Sequence, residues 1–364
     1  MNPALESRKR LERIIAAGQA DTSVYLALAS ACSALADHRA AIAAVDHVLS
    51  LQPKHVRALI IKGDQLAALS EPRAASSFYR AAVDWAPPER EMPAEMRDEV
   101  ARAKALCAGY TAAFETHLRR HLPLREGTRF SESIDILVGR KEVYFQEPRH
   151  YFFPGLPQIQ FYEGGVFPWL AQLEAATADI RGELLQVLAE DSAFQPYLQR
   201  DSRLPHTDAQ GLLDNPAWSA FYLWKHGKIV PDNAGRCPKT VAAMADIPLA
   251  GIKNRSPSVL FSLLKPGAHI PPHTGETNTR LICHLPLIVP EDCHLRVGND
   301  VRRVVEGKAW VFDDTIQHEA WNGSAETRVI LLFEIWRPEL SADERALVSG
   351  MFDAIESYGI SAAR

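Results

Sequence analysis

Apolar and polar positions in the first third of the chain alternate with helical spacing, and the pattern is written twice. Thr22 to Pro53 and Val56 to Pro87 each read as a pair of helices closed by a proline, and the two prolines stand 34 residues apart. Small, apolar and aromatic residues recur at fixed places: Tyr25, Leu28, Ala29 and Ala41 in the first unit, Leu59, Gly63, Ala75, Tyr79 and Ala82 in the second. A period of this length predicts stacked helical hairpins, in which small residues let paired helices approach and a tyrosine fills the space between neighbours. Two units are fewer than the three such stacks usually need. The charged helical pattern of MNPALESRKRLERII before them and a helix from Glu91 to about Leu122 after them are therefore expected to cap the two ends.

Past HLPLREGTRF the pattern shifts to short β-rich runs separated by Gly, Pro, Asn and Asp, as in an all-β domain. Thr279 to Leu287 alternates so that Arg280, Ile282 and His284 share one side and Leu281, Cys283 and Leu285 the other. AWVFDD predicts a further strand, and Arg328 to Trp336 a strongly apolar one. Helical patterns interrupt at Phe167 to Leu188 and again at Ser341 to about Tyr358. The expected fold class is thus α+β multidomain, with a helical repeat domain over 1–122, a linker over 123–150 and a β domain with flanking helices over 151–364.

Composition narrows the function. With 364 residues, 47% hydrophobic and 23% charged, the chain has the make-up of a soluble globular protein of two domains. A net charge of −5 with dispersed basic residues leaves no footprint for nucleic acid. The amino terminus lacks a signal-peptide pattern and no stretch has the length of a membrane span, so no membrane association is expected. Cys32, Cys107, Cys237, Cys283 and Cys293 are odd in number and lack C-x-x-C spacing, which predicts reduced thiols and a cytoplasmic protein.

The candidate chemistry lies late in the chain. His273 in PPHTG, His318 in DDTIQHEAW and Arg328 ten positions on would place two imidazoles on facing strands and a guanidinium on the next. Such a set offers a ferrous ion two neutral ligands and an organic acid a bidentate anchor. Two residues after the first histidine, where a carboxylate would complete a facial triad, stands Gly275. Asp313 or Asp314 is placed to accept the other ring N–H of a ligating histidine. Glu276 and Glu319 neighbour the histidines but are expected to point away, and His226, His269 and His294 read as surface or loop residues. Trp218, Phe221, Tyr222 and Trp224 form an aromatic cluster suited to core and barrel-mouth packing, since the basic groove of a base-stacking platform is absent.

Six ordered stretches carry a resemblance: FFPGLPQIQFY, NPAWSAFYLW, CPKTVAAM, SPSVLFSLLKPGAHIPPHTGETNTRLICHLPLIVP, GKAWVFDDTIQHEAWN and IWRPEL. From about Tyr151 to Leu340 the chain resembles the aspartyl/asparaginyl beta-hydroxylase family, and its first part is similar to tetratricopeptide repeats. The resemblance implies a double-stranded β-helix of jelly-roll or cupin type. It also implies a dioxygenase that uses Fe(II) and 2-oxoglutarate to hydroxylate a C–H bond, at the β-carbon of an aspartyl or asparaginyl residue or a related amino acid. Its motifs imply His273 and His318 as the metal ligands, with water in place of the third protein ligand. Ser262 and Arg328 would hold the distal carboxylate of 2-oxoglutarate, His284 would meet its proximal end, and Arg280 with Trp224 would face the substrate. Ile282 stands where some members carry an arginine for the C1 carboxylate. A protein, peptide or amino-acid substrate and a protein partner on the repeats are the expected associations. Two other readings use the same residues: a repeat scaffold with a relic barrel, and a cupin-type zinc enzyme.

Overall fold

The computed structural model describes residues 2–190, 193–200 and 211–358, and they divide into two compact units, Met1–Lys141 and Glu142–Arg364. In the first, α1 (Pro3–Ala16) precedes two hairpins, α2 (Thr22–Ala34) with α3 (His38–Leu51) and α4 (Val56–Ala68) with α5 (Pro72–Asp84). Corresponding helices start 34 residues apart, at 22 and 56 and at 38 and 72. Asp21 and Asp37 cap α2 and α3 by accepting the N–H groups of Val24 and Ala40, and Pro72 opens α5 where a missing N–H costs nothing. Ala29, Ala41, Ala58, Ala75 and Ala82 are fully buried between the helices. The covering helix is α6 (Ala94–His121), as its pattern predicted. The stretch expected as linker contains α7 (Arg129–Leu137), tied to α6 through Glu115, which accepts from Arg119 and from Arg140.

The second unit is built on two antiparallel sheets. Its strands are β1 (Phe161–Tyr162), β2 (Gln195–Pro196), β3 (Trp218–Lys225), β4 (Lys228–Ile229), β5 (Val259–Leu264), β6 (His269–His273) and β7 (Arg280–Ile288). They continue as β8 (Cys293–Val297), β9 (Asp300–Arg303), β10 (Trp310–Phe312), β11 (His318–Asn322) and β12 (Arg328–Trp336). The large sheet runs β1-β10-β7-β12-β5-β3-β2, with β4 beside β3, and the small one β6-β11-β8-β9. From β5 onward the chain winds between the sheets in the order of a double-stranded β-helix, the jelly roll anticipated from the sequence. The span 215–238 contributes β3, β4 and the short helix α8 (Pro231–Arg236).

Alternation sorts the side chains. Leu281, Cys283, Leu285 and Leu287 of β7 and Val329, Leu331, Phe333 and Ile335 of β12 face a helical layer that supplies Leu173, Ile180 and Leu184. Ile282, Ile330 and Leu332 face the barrel interior with Leu295 and Val297 of the small sheet. Strands buried on both faces explain the unbroken apolar run from Val329 to Phe333.

A buried polar network fixes the two turns next to the histidines, one after His273 and one before His318. Arg337, just past β12, is fully buried and donates to Asp313 Oδ2 at 2.7 Å, Tyr162 Oη at 2.6 Å and Pro157 O at 2.6 Å. Asp313 accepts also from Gln146 Nε2 (2.7 Å), from the Thr315 N–H (3.0 Å) and from Thr315 Oγ1 (2.6 Å). Gln146 Oε1 accepts from Asn278 Nδ2 at 2.9 Å. Backbone bonds from Glu147 to Thr315 and from Arg149 to Gly275 complete the lacing of 146–149 onto both turns.

Two outcomes follow for stability. A Cβ on Gly63 would meet the Tyr79 ring at 2.7 Å, whereas one on Gly109 of α6 meets nothing. Gly63→Ala should therefore cost about 1–3 kcal/mol and Gly109→Ala should gain about 1 kcal/mol; equal urea midpoints for the two variants of the full chain would contradict this packing. Arg337→Met strands the Asp313 carboxylate and should cost about 3–5 kcal/mol. Combined with Asp313→Asn, the loss should fall well short of the sum of the single losses, because the two side chains share one interaction.

Candidate active site

His273 ends β6 and His318 opens β11, and these two residues are direct cross-strand partners. Their rings consequently lie 4.1 Å apart between centroids. The chain turns back on each ring in the same way: His273 Nδ1 is 2.8 Å from Pro271 O, and His318 Nδ1 is 3.1 Å from Ile316 O. A carbonyl can only accept, so Nδ1 carries the proton in both and Nε2 keeps its lone pair for a ligand. Burial pushes the His273 pKa down and, aided by His273 itself, holds His318 well below the ordinary histidine range. Both rings are thus neutral, the form that binds metal.

The expectation that Asp313 or Asp314 would orient a histidine is not met, because backbone carbonyls do this and both carboxylates face arginines. Asp313 belongs to Arg337, and Asp314 Oδ2 accepts from Arg280 Nη1 at 3.0 Å. Gly275 also takes on a new meaning, since a Cβ there would overlap the Asp314 carboxylate. The place a carboxylate-bearing residue would need after His273 is filled by an acid delivered from the turn before His318. Among the described residues no group of three or more His, Cys, Asp or Glu is arranged to hold a metal, so the imidazole pair stands by itself.

Arg328, first residue of β12 and opposite Leu264, is 2% exposed. It has no ion-pair partner among the described residues, and its Nε lacks any acceptor. Burial without a counter-charge lowers its pKa to about 10. Ser262 pairs with Ile330, which places it diagonally from Arg328 on the same interior face, and its Oγ accepts from Trp218 Nε1 at 3.1 Å. His284 sits on the interior face of β7, edge-on to Phe312 at 4.9 Å, and burial beside Arg328 keeps it neutral. Ile282 packs in the same interior opposite Phe312.

Arg280 is already engaged, holding Asp314 and, through Nε, Glu334 Oε1 at 3.2 Å. Burial lifts the Asp314 carboxyl to about 6 against the pull of Arg280. Glu319 bonds His269 and Arg296 away from the ring pair, and Glu276 lies half exposed near His150. His294 stacks on Trp321, and His226 sits at positive φ in the turn between β3 and β4.

Trp224 does not face the interior. The pairing of β3 with β5 slips between Tyr222 and Trp224, and the extra residue turns Trp224 toward the helix-covered face, where it packs beside Phe221 and Leu223. Trp218 faces the site instead, 6.3 Å from the His273 ring and stacked on Tyr197 at 4.0 Å. The alternation of Trp218, Ala220 and Tyr222 marks that face in the sequence. Tyr197 has no comparable signal, because it lies just past a strand only two residues long.

The chain matches the family described as Aspartyl/Asparaginyl beta-hydroxylase over residues 174–338. It is 38% identical to the ornithine lipid ester-linked acyl 2-hydroxylase of Rhizobium tropici over 180 residues, 49% of this chain and 60% of that protein. It is 33% identical to the aspartyl/asparaginyl beta-hydroxylase of Homo sapiens over 184 residues, 50% of this chain and 23% of that one. Among solved structures, KdgF from Halomonas sp. aligns with 38% of this chain and 95% of its own at 14% identity and a TM-score of 0.22. The chain spans less than two thirds of the length of these two relatives. With its paired histidines at the ends of β6 and β11 and its matching motifs across residues 174–338, the second unit belongs to the aspartyl/asparaginyl beta-hydroxylase family.

Proposed function

We propose that this protein is an Fe(II)- and 2-oxoglutarate-dependent dioxygenase that hydroxylates a C–H bond. The observation that carries the reading is the pairing, within one barrel interior, of two neutral imidazoles with a buried guanidinium that has no anion among the described residues. A buried cation without a partner costs several kcal/mol, roughly the scale on which an incoming carboxylate would relieve it. His273 and His318 would hold the iron through Nε2, and Arg328 would receive the distal carboxylate of 2-oxoglutarate as a bidentate fork. Ser262 stands beside Arg328 on the interior face, and neutral His284 would meet the other end of the keto acid.

Iron bound with a 2-oxo acid supplies the capacity to activate dioxygen and oxidise an unactivated C–H bond. One oxygen atom goes to the substrate as hydroxyl and the other to succinate, with loss of carbon dioxide. This chain contributes orientation and dryness: Trp218, Phe312 and Ile282 wall the ring pair with apolar surface. Relatives are named for an acyl chain on a lipid and for aspartyl or asparaginyl residues, so a fatty-acyl or amino-acid carbon is the proposed target class.

His273→Ala and His318→Ala should each abolish both 2-oxoglutarate turnover and the weak visible band that Fe(II) and 2-oxoglutarate give anaerobically. Glu276→Ala should retain both. Turnover at full rate in either histidine variant would remove the metal assignment. Arg328→Ala should weaken 2-oxoglutarate binding by about one to two decades, the equivalent of losing a charge-assisted pair, and Arg328→Lys should recover only part. Calorimetry with Mn(II) under nitrogen measures this directly, and unchanged affinity in Arg328→Ala would dismiss 2-oxoglutarate as the co-substrate.

A further inference from the structure

The two walls of the histidine pair differ in what their rings can do. Beside His318 stands Phe312, with ring centroids 5.6 Å apart, and behind it Phe161 at 5.9 Å. A phenyl ring holds its electrons tightly. Beside His273 the rings are indole and phenol, which give up an electron far more readily. Trp218 lies 6.3 Å from the His273 ring, Tyr197 lies 4.0 Å from Trp218, and Tyr222 lies 6.5 Å from Tyr197. The two outer contacts are nearly parallel, with interplanar angles of 13° and 20°. Their spacing is fixed by the sheet, since the Tyr197 N–H donates to Trp218 O at 2.9 Å and Trp218 and Tyr222 share one face of β3. The row also runs outward. Trp218 is 8% exposed, Tyr197 and Tyr222 are half-buried, and β2, next to Tyr197, is the last strand of the large sheet. An unbroken file of oxidisable rings thus leads from one histidine of the pair to the rim, and the other histidine has only phenylalanines beside it.

We propose that Trp218, Tyr197 and Tyr222 form an electron path that protects the histidine pair when the co-substrate is consumed with no prime substrate in place. The inference rests on the oxygenase reading, which supplies dioxygen and the 2-oxo acid. In such a turnover one oxygen atom enters succinate and the other has to be reduced to water, which takes two electrons and two protons. Trp218 gives up an electron and regains it from Tyr197, which regains it from Tyr222. Each electron is matched by the proton of a phenol, so two passages along the row complete the water. Two molecules of a soluble one-electron reductant of the ascorbate class then each return an electron and a proton to the outer phenol. Without the row, the nearest group left to be oxidised is the imidazole of His273 itself.

The test uses the full chain with Fe(II), 2-oxoglutarate and air, and no prime substrate. Samples frozen during turnover are examined by electron paramagnetic resonance, peptides are mapped by mass spectrometry, and succinate is counted until the protein is inactivated. The natural chain should show a phenoxyl radical signal that ascorbate removes, and a gain of one oxygen atom at Trp218, Tyr197 or Tyr222. The double variant Tyr197→Phe with Tyr222→Phe keeps both rings for packing but cannot form that radical. It should lose the signal, make several-fold less succinate before inactivation and carry its oxidation at Trp218 and His273. Tyr197→Trp should retain the protection. Succinate accumulating in the natural chain without a phenoxyl signal, or a double variant with the same succinate yield and the same oxidation map, overturns the proposal. Absence of both succinate and the anaerobic visible band fails the oxygenase reading instead, and this proposal with it, so the two failures are told apart.

Discussion

The ion pair between Arg337 and Asp313 is the constraint on which the rest of the second unit depends. Both side chains are completely buried, and each is bound on every available side. Such a pair stabilises little compared with apolar packing but strongly penalises any arrangement that breaks it. Its consequence here is geometric. Asp313 sets the turn whose fifth residue on is His318, and Gln146 and Asn278 transmit the same constraint to the segment after His273. Both turns beside the cross-strand pair of His273 and His318 are thereby anchored to one guanidinium, and the two rings meet at 4.1 Å.

Three arginines in one barrel illustrate how burial and partners set chemistry. Arg337 has its counter-charge and is structural. Arg280 has two counter-charges. Arg328 has none among the described residues. The same buried side chain thus sits in three different charge environments. Ile282 belongs to the same account, because an apolar residue between Arg280 and His284 keeps the space next to the ring pair free of further charge.

The relatives share the β-hydroxylase unit but carry different names for what they act on, one a lipid acyl chain and the other aspartyl and asparaginyl residues. In the barrel interior of this chain the histidine pair and the charged cluster around Arg280 occupy separate positions, with β12 contributing to both surroundings. His273, His318 and Arg328 lie at strand ends in tight register, whereas the Arg280 cluster is assembled from β7, β12 and the turn before β11. Changing the second set leaves the first in place.

Local pattern determined much of this in advance. The 34-residue period located four helices, since hairpins that stack must repeat their small residues. Period-two alternation assigned both faces of β7, and an unbroken apolar run identified β12, because a strand covered on both sides has no polar face. The resemblance across the six motifs pointed to the histidine pair and to Arg328. Tertiary structure decided the partners. Trp224 reads as an interior residue until a slip in the pairing of β3 and β5 turns it outward, and a slip leaves no mark in the residue types. Asp313 and Asp314 are adjacent and identical in kind, yet one faces Arg337 and the other Arg280, residues 24 and 34 positions away. Gly275 looks like a missing ligand in the chain and proves to be the space for an acid from another turn. Charge pairing and van der Waals exclusion act between elements brought together only by folding, and sequence spacing carries no record of that approach.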